Sequence, residues 1–123
     1  MFEKRYNKYK AEKQTYNGRS YHSKKEADYA VNLDWKMKAG EIKEIIPQYK
    51  LDLRINGKHW RNYYIDFKVI NTDGTVDYIE VKGFATESWK QKFDVTKIIF
   101  DDLTEGEHAF LYLNDKLVDE SFE

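Results

Sequence analysis

From Ile45 to Ile55 the chain alternates, with Tyr49, Leu51, Leu53 and Ile55 spaced to lie on one side, so the pattern predicts a strand over 45–55. Asn56-Gly57 follows, the dipeptide that best tolerates the positive φ angles of a two-residue hairpin turn, and a second strand is predicted over 58–70. Its Tyr63, Ile65, Phe67 and Val69 fall on one side, with Tyr64, Asp66 and Lys68 on the other. After Thr72-Asp73-Gly74 a third strand is expected over 75–82. Upstream, Ser23-Lys24-Lys25-Glu26 has capping-box spacing and Gly40 stands where a helix C-terminal cap belongs, which predicts a helix over 24–39. Thr86 is placed to cap a second helix, 87–100, with Trp89 and Phe93 at helical spacing, and 108–113 reads as the last strand. Residues 15–21, around Asn17-Gly18, form a further small hairpin. The order helix, three antiparallel strands, helix, strand (αβββαβ) is expected to build an α/β fold, one mixed sheet flanked by two helices.

The turn at 72–74 decides which side chains meet, because a one-residue slip in register moves every side chain to the other face. A two-residue Asp73-Gly74 turn sets Ile65 against Lys82 and Phe67 against Glu80, matching apolar groups with charges. A three-residue loop with Gly74 left-handed pairs Asn71 with Thr75 instead, so that Ile65 faces Val81 and Phe67 faces Ile79. The second register closes the apolar face. It also puts Asp66 directly opposite Glu80, with Cβ atoms roughly 4.5 to 5.5 Å apart, and Lys82 opposite Tyr64 on the same side.

Two carboxylates that close repel one another, and burying them uncompensated costs several kcal/mol, so the pair calls for a cation. A divalent, oxygen-seeking ion fits, and Mg²⁺ (with Mn²⁺ as substitute) accepts one or two carboxylates plus waters and substrate phosphate. Lys82, two residues beyond Glu80, adds a positive point charge suited to holding a phosphate, stabilising a pentavalent transition state or helping to deprotonate an attacking water. Glu26 shares a helical stripe with Ala30, Leu33 and Met37, the side expected to face the sheet; it is equally placed to close the capping box with Ser23.

Composition narrows the chemistry. At 123 residues, with one proline and no repeat or low-complexity tract, 1–123 reads as a single domain. The absence of Cys removes disulfides, thiol nucleophiles and Cys-ligated zinc. His22, His59 and His108 lack metal-ligand spacing. No apolar run approaches the length of a membrane span and none follows Met-Phe-Glu-Lys-Arg, so no membrane association and a cytoplasmic location are expected. The net charge of -1 hides a polarity: residues 1–25 hold eight basic side chains against two acidic, and 101–123 hold eight acidic against one basic. The basic stretch, including 1–14 and Arg19, Lys24 and Lys25, is interleaved with Tyr6, Tyr9, Tyr16 and Tyr21, a composition suited to phosphates and bases; a solvated end is the competing reading. An acidic segment over 114–123 closes the chain. Lys90 and Lys92 are candidate phosphate contacts, although helix lysines are usually solvated, and Gln48 is a candidate to orient substrate or water and equally a surface amide.

Asp66, then Glu80-Val81-Lys82, with Glu26 on the preceding helix, resembles the signature of the PD-(D/E)xK nuclease superfamily, the restriction-endonuclease-like fold. Ser23-Lys24-Lys25-Glu26-Ala27, Ala39-Gly40-Glu41-Ile42, Pro47-Gln48, Tyr64-Ile65-Asp66-Phe67 and Glu80-Val81-Lys82-Gly83-Phe84 are similar to a phage and prophage family of small proteins in that superfamily, over about 15–100. A more distant likeness is to phage endonuclease I-type Holliday junction resolvases. Ile65 stands where the superfamily's name has a proline. The resemblance implies an αβββαβ core, Asp66 and Glu80 as metal ligands, Lys82 as the catalytic lysine and Glu26 completing a metal site, with the Val81 carbonyl as a further ligand. It implies hydrolysis of DNA phosphodiesters, in branched DNA by analogy, by a homodimer, in a phage protein acting in a bacterial cytoplasm. The alternatives are a non-catalytic nucleic-acid or junction binder of the same fold and a host-interaction protein working through 101–123.

Overall fold

The computed structural model describes residues 23–123 in full and, by backbone alone, 5–6, 12–16 and 19–21. The basic segment over 1–14, the Asn17-Gly18 turn, His22 and the Arg19 side chain otherwise lie outside the described residues. The chain divides into two compact units, Met1–Ile42 and Lys43–Glu123.

In the first unit β1 (Arg5–Tyr6), β2 (Glu12–Tyr16) and β3 (Arg19–Tyr21) form a three-stranded antiparallel sheet. Tyr16 pairs with Arg19 and Thr15 with Ser20, the register expected of a hairpin closed at 17–18. Helix α1 (Lys24–Lys38) begins where Ser23 Oγ accepts the Glu26 N–H at 3.1 Å, the capping interaction that Ser23 favours. It ends as Gly40 turns left-handed, φ +83°. Glu26, Ala27, Ala30 and Leu33 make its buried stripe.

The second unit is α/β: β4 (Ile42–Ile55, which starts at the boundary), β5 (Lys58–Asn71), β6 (Val76–Glu80), α2 (Glu87–Ile98), the short α3 (Phe100–Leu103), β7 (Ala109–Leu113) and β8 (Lys116–Ser121). The strands lie in the order β4-β5-β6-β7-β8, in one mixed sheet. β6 and β7 are parallel, because α2 and α3 carry the chain across between them, while β5–β6 and β7–β8 are antiparallel. The 72–74 loop takes the three-residue form: the Asn71 N–H donates to Thr75 O at 2.9 Å, Gly74 sits at φ +92°, and Phe67 pairs with Ile79. An alanine at position 74 meets no steric obstacle but carries the left-handed strain.

Leu51, Leu53, Tyr63, Ile65, Val76, Tyr78, Ala109 and Leu111 pack with Phe93 of α2 and Phe100 of α3 into the core. Phe100 is 1% exposed, and Tyr78 meets it edge-on with ring centroids 5.7 Å apart. Phe100→Ala empties that space and is expected to lower stability by about 3 to 5 kcal/mol, read as a fall in the urea midpoint at constant m.

Four expectations change. Tyr63 and Ile65 share a cluster with Val76 and Tyr78, whereas Phe67 and Val69 pair with Ile79 and Asp77, the alternate positions of β6. The regular alternation of β5 is therefore interrupted at Asp66, and both faces there are apolar and buried, which period-two counting on one face cannot register. β6 stops at Glu80, so Val81 and Lys82 lie beyond the strand rather than on it. The second helix ends at Ile98 and restarts as α3. Finally, 108–113 is not the last strand: Asn114 and Asp115, both at positive φ, make a two-residue turn into β8, an edge strand.

Candidate active site

The β5–β6 ladder runs from Ile70–Val76 to Phe67–Ile79, and one step further stand Asp66 and Glu80. Here side chains take over the bonding. The Asp66 N–H donates to Glu80 Oε1 at 3.2 Å, and the Val81 N–H donates to Asp66 Oδ2 at 2.7 Å. Two carboxylates thus meet where the strands part, 7% and 3% exposed respectively. Gln48 Nε2 donates to Asp66 Oδ1 at 3.2 Å, and Trp89 Nε1 to Glu80 Oε2 at 2.8 Å. Each of the four carboxylate oxygens receives a donor.

Burial, with the Asp66 charge beside it, pushes the Glu80 carboxyl up to about 8; the Trp89 N–H and the Lys82 ammonium oppose that rise. Tyr63, whose hydroxyl accepts from Trp89 Nε1 at 3.2 Å, is pushed far above the usual phenol range by burial first and by Glu80 next. The pocket is therefore unfavourable to negative charge and holds two acidic side chains.

Lys82 is half-buried, with its Nζ 5.5 Å from the centroid of the Trp89 ring. Asn114 holds its backbone: Asn114 Oδ1 accepts the Lys82 N–H at 2.9 Å and Asn114 Nδ2 donates to Lys82 O at 3.0 Å. The Asn114 N–H also donates to Glu80 O at 2.9 Å, tying the β7–β8 turn to the end of β6. Gln48 reaches Asp66 from a left-handed backbone position, φ 50° within β4, a conformation a non-glycine residue adopts at an energetic cost.

The structure thus brings together Asp66, Glu80, Lys82 and Gln48, with Val81 buried between the acid and the lysine. Lys90 is exposed and Lys92 half-buried on α2, one and three residues past Trp89. Glu26 belongs to the first unit, where it is 2% exposed at the third position of α1. Lys24 and Lys25 are exposed at the start of that helix, and Lys24 Nζ pairs with Asp28 Oδ2 at 2.9 Å.

Sequence reasoning missed the parts played by Trp89, Tyr63 and Asn114. Trp89, with Trp60 and Tyr64, reads as a ring able to border the cleft and Tyr63 as part of the apolar face, but nothing local links Trp89 or Tyr63 to Glu80. Asn114-Asp115 carried a usable signal, since two residues tolerant of positive φ between apolar runs mark a hairpin, but the acidic composition around them obscured it.

Among the described residues, no group of three or more His, Asp or Glu side chains is arranged to hold a metal ion, and no described helix is long and apolar enough to cross a membrane. No curated protein and no solved structure matches the chain. Residues 6–112 match one family, and the chain belongs to it: the family described as "Protein of unknown function (DUF1064)".

Proposed function

We propose that this chain is a divalent-metal-dependent endonuclease that hydrolyses phosphodiester bonds in DNA, with branched DNA as its favoured substrate. The observation that carries the reading is the buried Asp66–Glu80 pair at the end of β6 with the Lys82 ammonium beside it. Structural carboxylates are commonly solvated or paired with arginine. These two are instead sunk next to each other, an arrangement that a cation relieves.

The donor set suits Mg²⁺ or Mn²⁺. Two carboxylates fall short of the six to eight oxygens that Ca²⁺ takes; the chain has no Cys and, among the described residues, no clustered His offers a zinc site. Mg²⁺ accepts one or two carboxylates and completes its shell with waters and phosphate. Asp66 and Glu80 would hold the ion, with the Val81 carbonyl as a further ligand; bound there, it supplies positive charge for the phosphoryl oxygens and favours deprotonation of the attacking water. Gln48 and the Val81 N–H fix the Asp66 carboxylate in one orientation. Lys82, its backbone clamped by Asn114, presents a cation for the scissile phosphate and for the charge that grows on it in the transition state.

Lys90, Lys92, Lys24, Lys25 and Arg19 are the proposed contacts to the phosphate backbone. A junction offers two related strands to cut, so a homodimer acting in the cytoplasm of a bacterial host is the assembly proposed.

The test is a panel of four-way junction, flap, linear duplex and single-stranded DNA incubated with Mg²⁺, Mn²⁺ or EDTA. Wild-type protein is expected to cut in the metal lanes, junction first, and Asp66→Ala to leave every substrate intact. Equal cutting by both proteins removes the site assignment, and DNA binding without cutting makes the chain a binding protein. Glu26→Gln in the same assay asks whether the helix-borne acid contributes.

A further inference from the structure

Trp89 touches more of the candidate site than any catalytic argument requires. Its Nε1–H is shared between Glu80 Oε2 at 2.8 Å and the Tyr63 hydroxyl at 3.2 Å, and its ring face lies 5.5 Å from Lys82 Nζ. The indole is itself firmly held. Thr86 Oγ1 accepts the Trp89 N–H of the backbone at 3.1 Å, capping α2, and the ring stacks on the buried Phe93 with centroids 5.0 Å apart and planes 19° apart.

We propose that Trp89 is a positioning residue for divalent-cation binding: one rigid indole aims the Glu80 carboxylate through its N–H and seats the Lys82 ammonium over its face. The proposal rests on the endonuclease reading. Indole suits the task because it donates and never accepts, carries no charge, and keeps water away with its apolar body. A lysine in its place would neutralise Glu80 and compete with the cation. A hydroxyl could turn away, whereas this indole is stacked on Phe93 and carried by a backbone that Thr86 caps. Ordering Glu80 before the cation arrives lowers the cost of binding it, as outer-sphere hydrogen bonds do for metal ligands generally.

Trp89→Phe isolates the donor, since it keeps a ring to stack on Phe93 and to face Lys82 while removing the N–H. In the full chain, Mg²⁺ affinity measured by calorimetry is expected to weaken by about 10-fold in this variant. A lower melting temperature with an unchanged Mg²⁺ constant assigns Trp89 a purely structural role and overturns the proposal. The second measurement needs only the wild-type fold: in ¹⁵N-labelled protein titrated with Mg²⁺, the Trp89 indole resonance moves and saturates. The resonance of Trp35, 67% exposed on α1, serves as the reference. If Trp89→Phe does not fold, this titration decides alone. Mg²⁺ binding that leaves the Trp89 resonance in place sinks the positioning role and spares the endonuclease reading. A wild-type protein that binds no Mg²⁺ sinks both.

Discussion

Lys82→Met is expected to lower Mg²⁺-dependent cleavage by about 10²- to 10³-fold, the loss typical when one preorganised charge-stabilising group is removed from a transition state. Binding to junction DNA is expected to survive, because one phosphate contact among several contributes a modest share of a salt-dependent affinity. Methionine keeps the apolar stem that packs near Trp89, and Asn114 holds residue 82 through its backbone, so the fold is expected to be retained. Single-turnover cleavage and a binding titration at fixed salt separate the two effects. A variant that cuts at the wild-type rate places Lys82 outside the chemistry and reduces it to a surface cation half-covered by an indole.

The second large effect concerns stability. Glu80 has a folded-state pKa raised from an ordinary 4.5 to about 8 by burial and by Asp66, so between those values the folded chain binds more protons than the unfolded chain. Stability must then fall as pH rises through this window and level off above it. Metal-free wild-type protein is accordingly expected to lose about 2 to 4 kcal/mol between pH 4.5 and 8 from this group. Glu80→Gln keeps the shape and cannot ionise, so its melting temperature in EDTA at pH 8 is expected to exceed that of wild type, with the difference vanishing towards pH 4.5. Mg²⁺ is expected to raise the wild-type melting temperature at pH 8 and leave the variant nearly unmoved. A more stable but inactive variant is what a site held in place against its own repulsion produces. Parallel melting curves for the two proteins across the pH range would remove the like-charge argument.

The convergence of Asp66 and Glu80 follows from short-range chemistry. Gly74 accepts a left-handed turn, the loop then counts three residues, and Phe67 is committed to Ile79. The helix ends at Ser23 and Gly40, the hairpin at Asn56-Gly57 and the antiparallel pairing of β2 with β3 are likewise set within a few residues of chain, and so they could be read from it. The α/β order came from the same local signals.

Other features depend on partners far away in sequence. The interruption of β5 at Asp66 exists because apolar residues pack on both faces, and a residue's own neighbours do not reveal what lies above and below it. The bond from Trp89 to Glu80 crosses from a helix to a strand, that from Gln48 to Asp66 spans 18 residues, and that from Asn114 to Lys82 spans 32. Local sequence therefore determined which residue types stand at the end of β6. Tertiary packing decided which of their oxygens and nitrogens meet, because hydrogen-bond geometry is fixed to within tenths of an ångström only once the sheet and α2 have closed on one another.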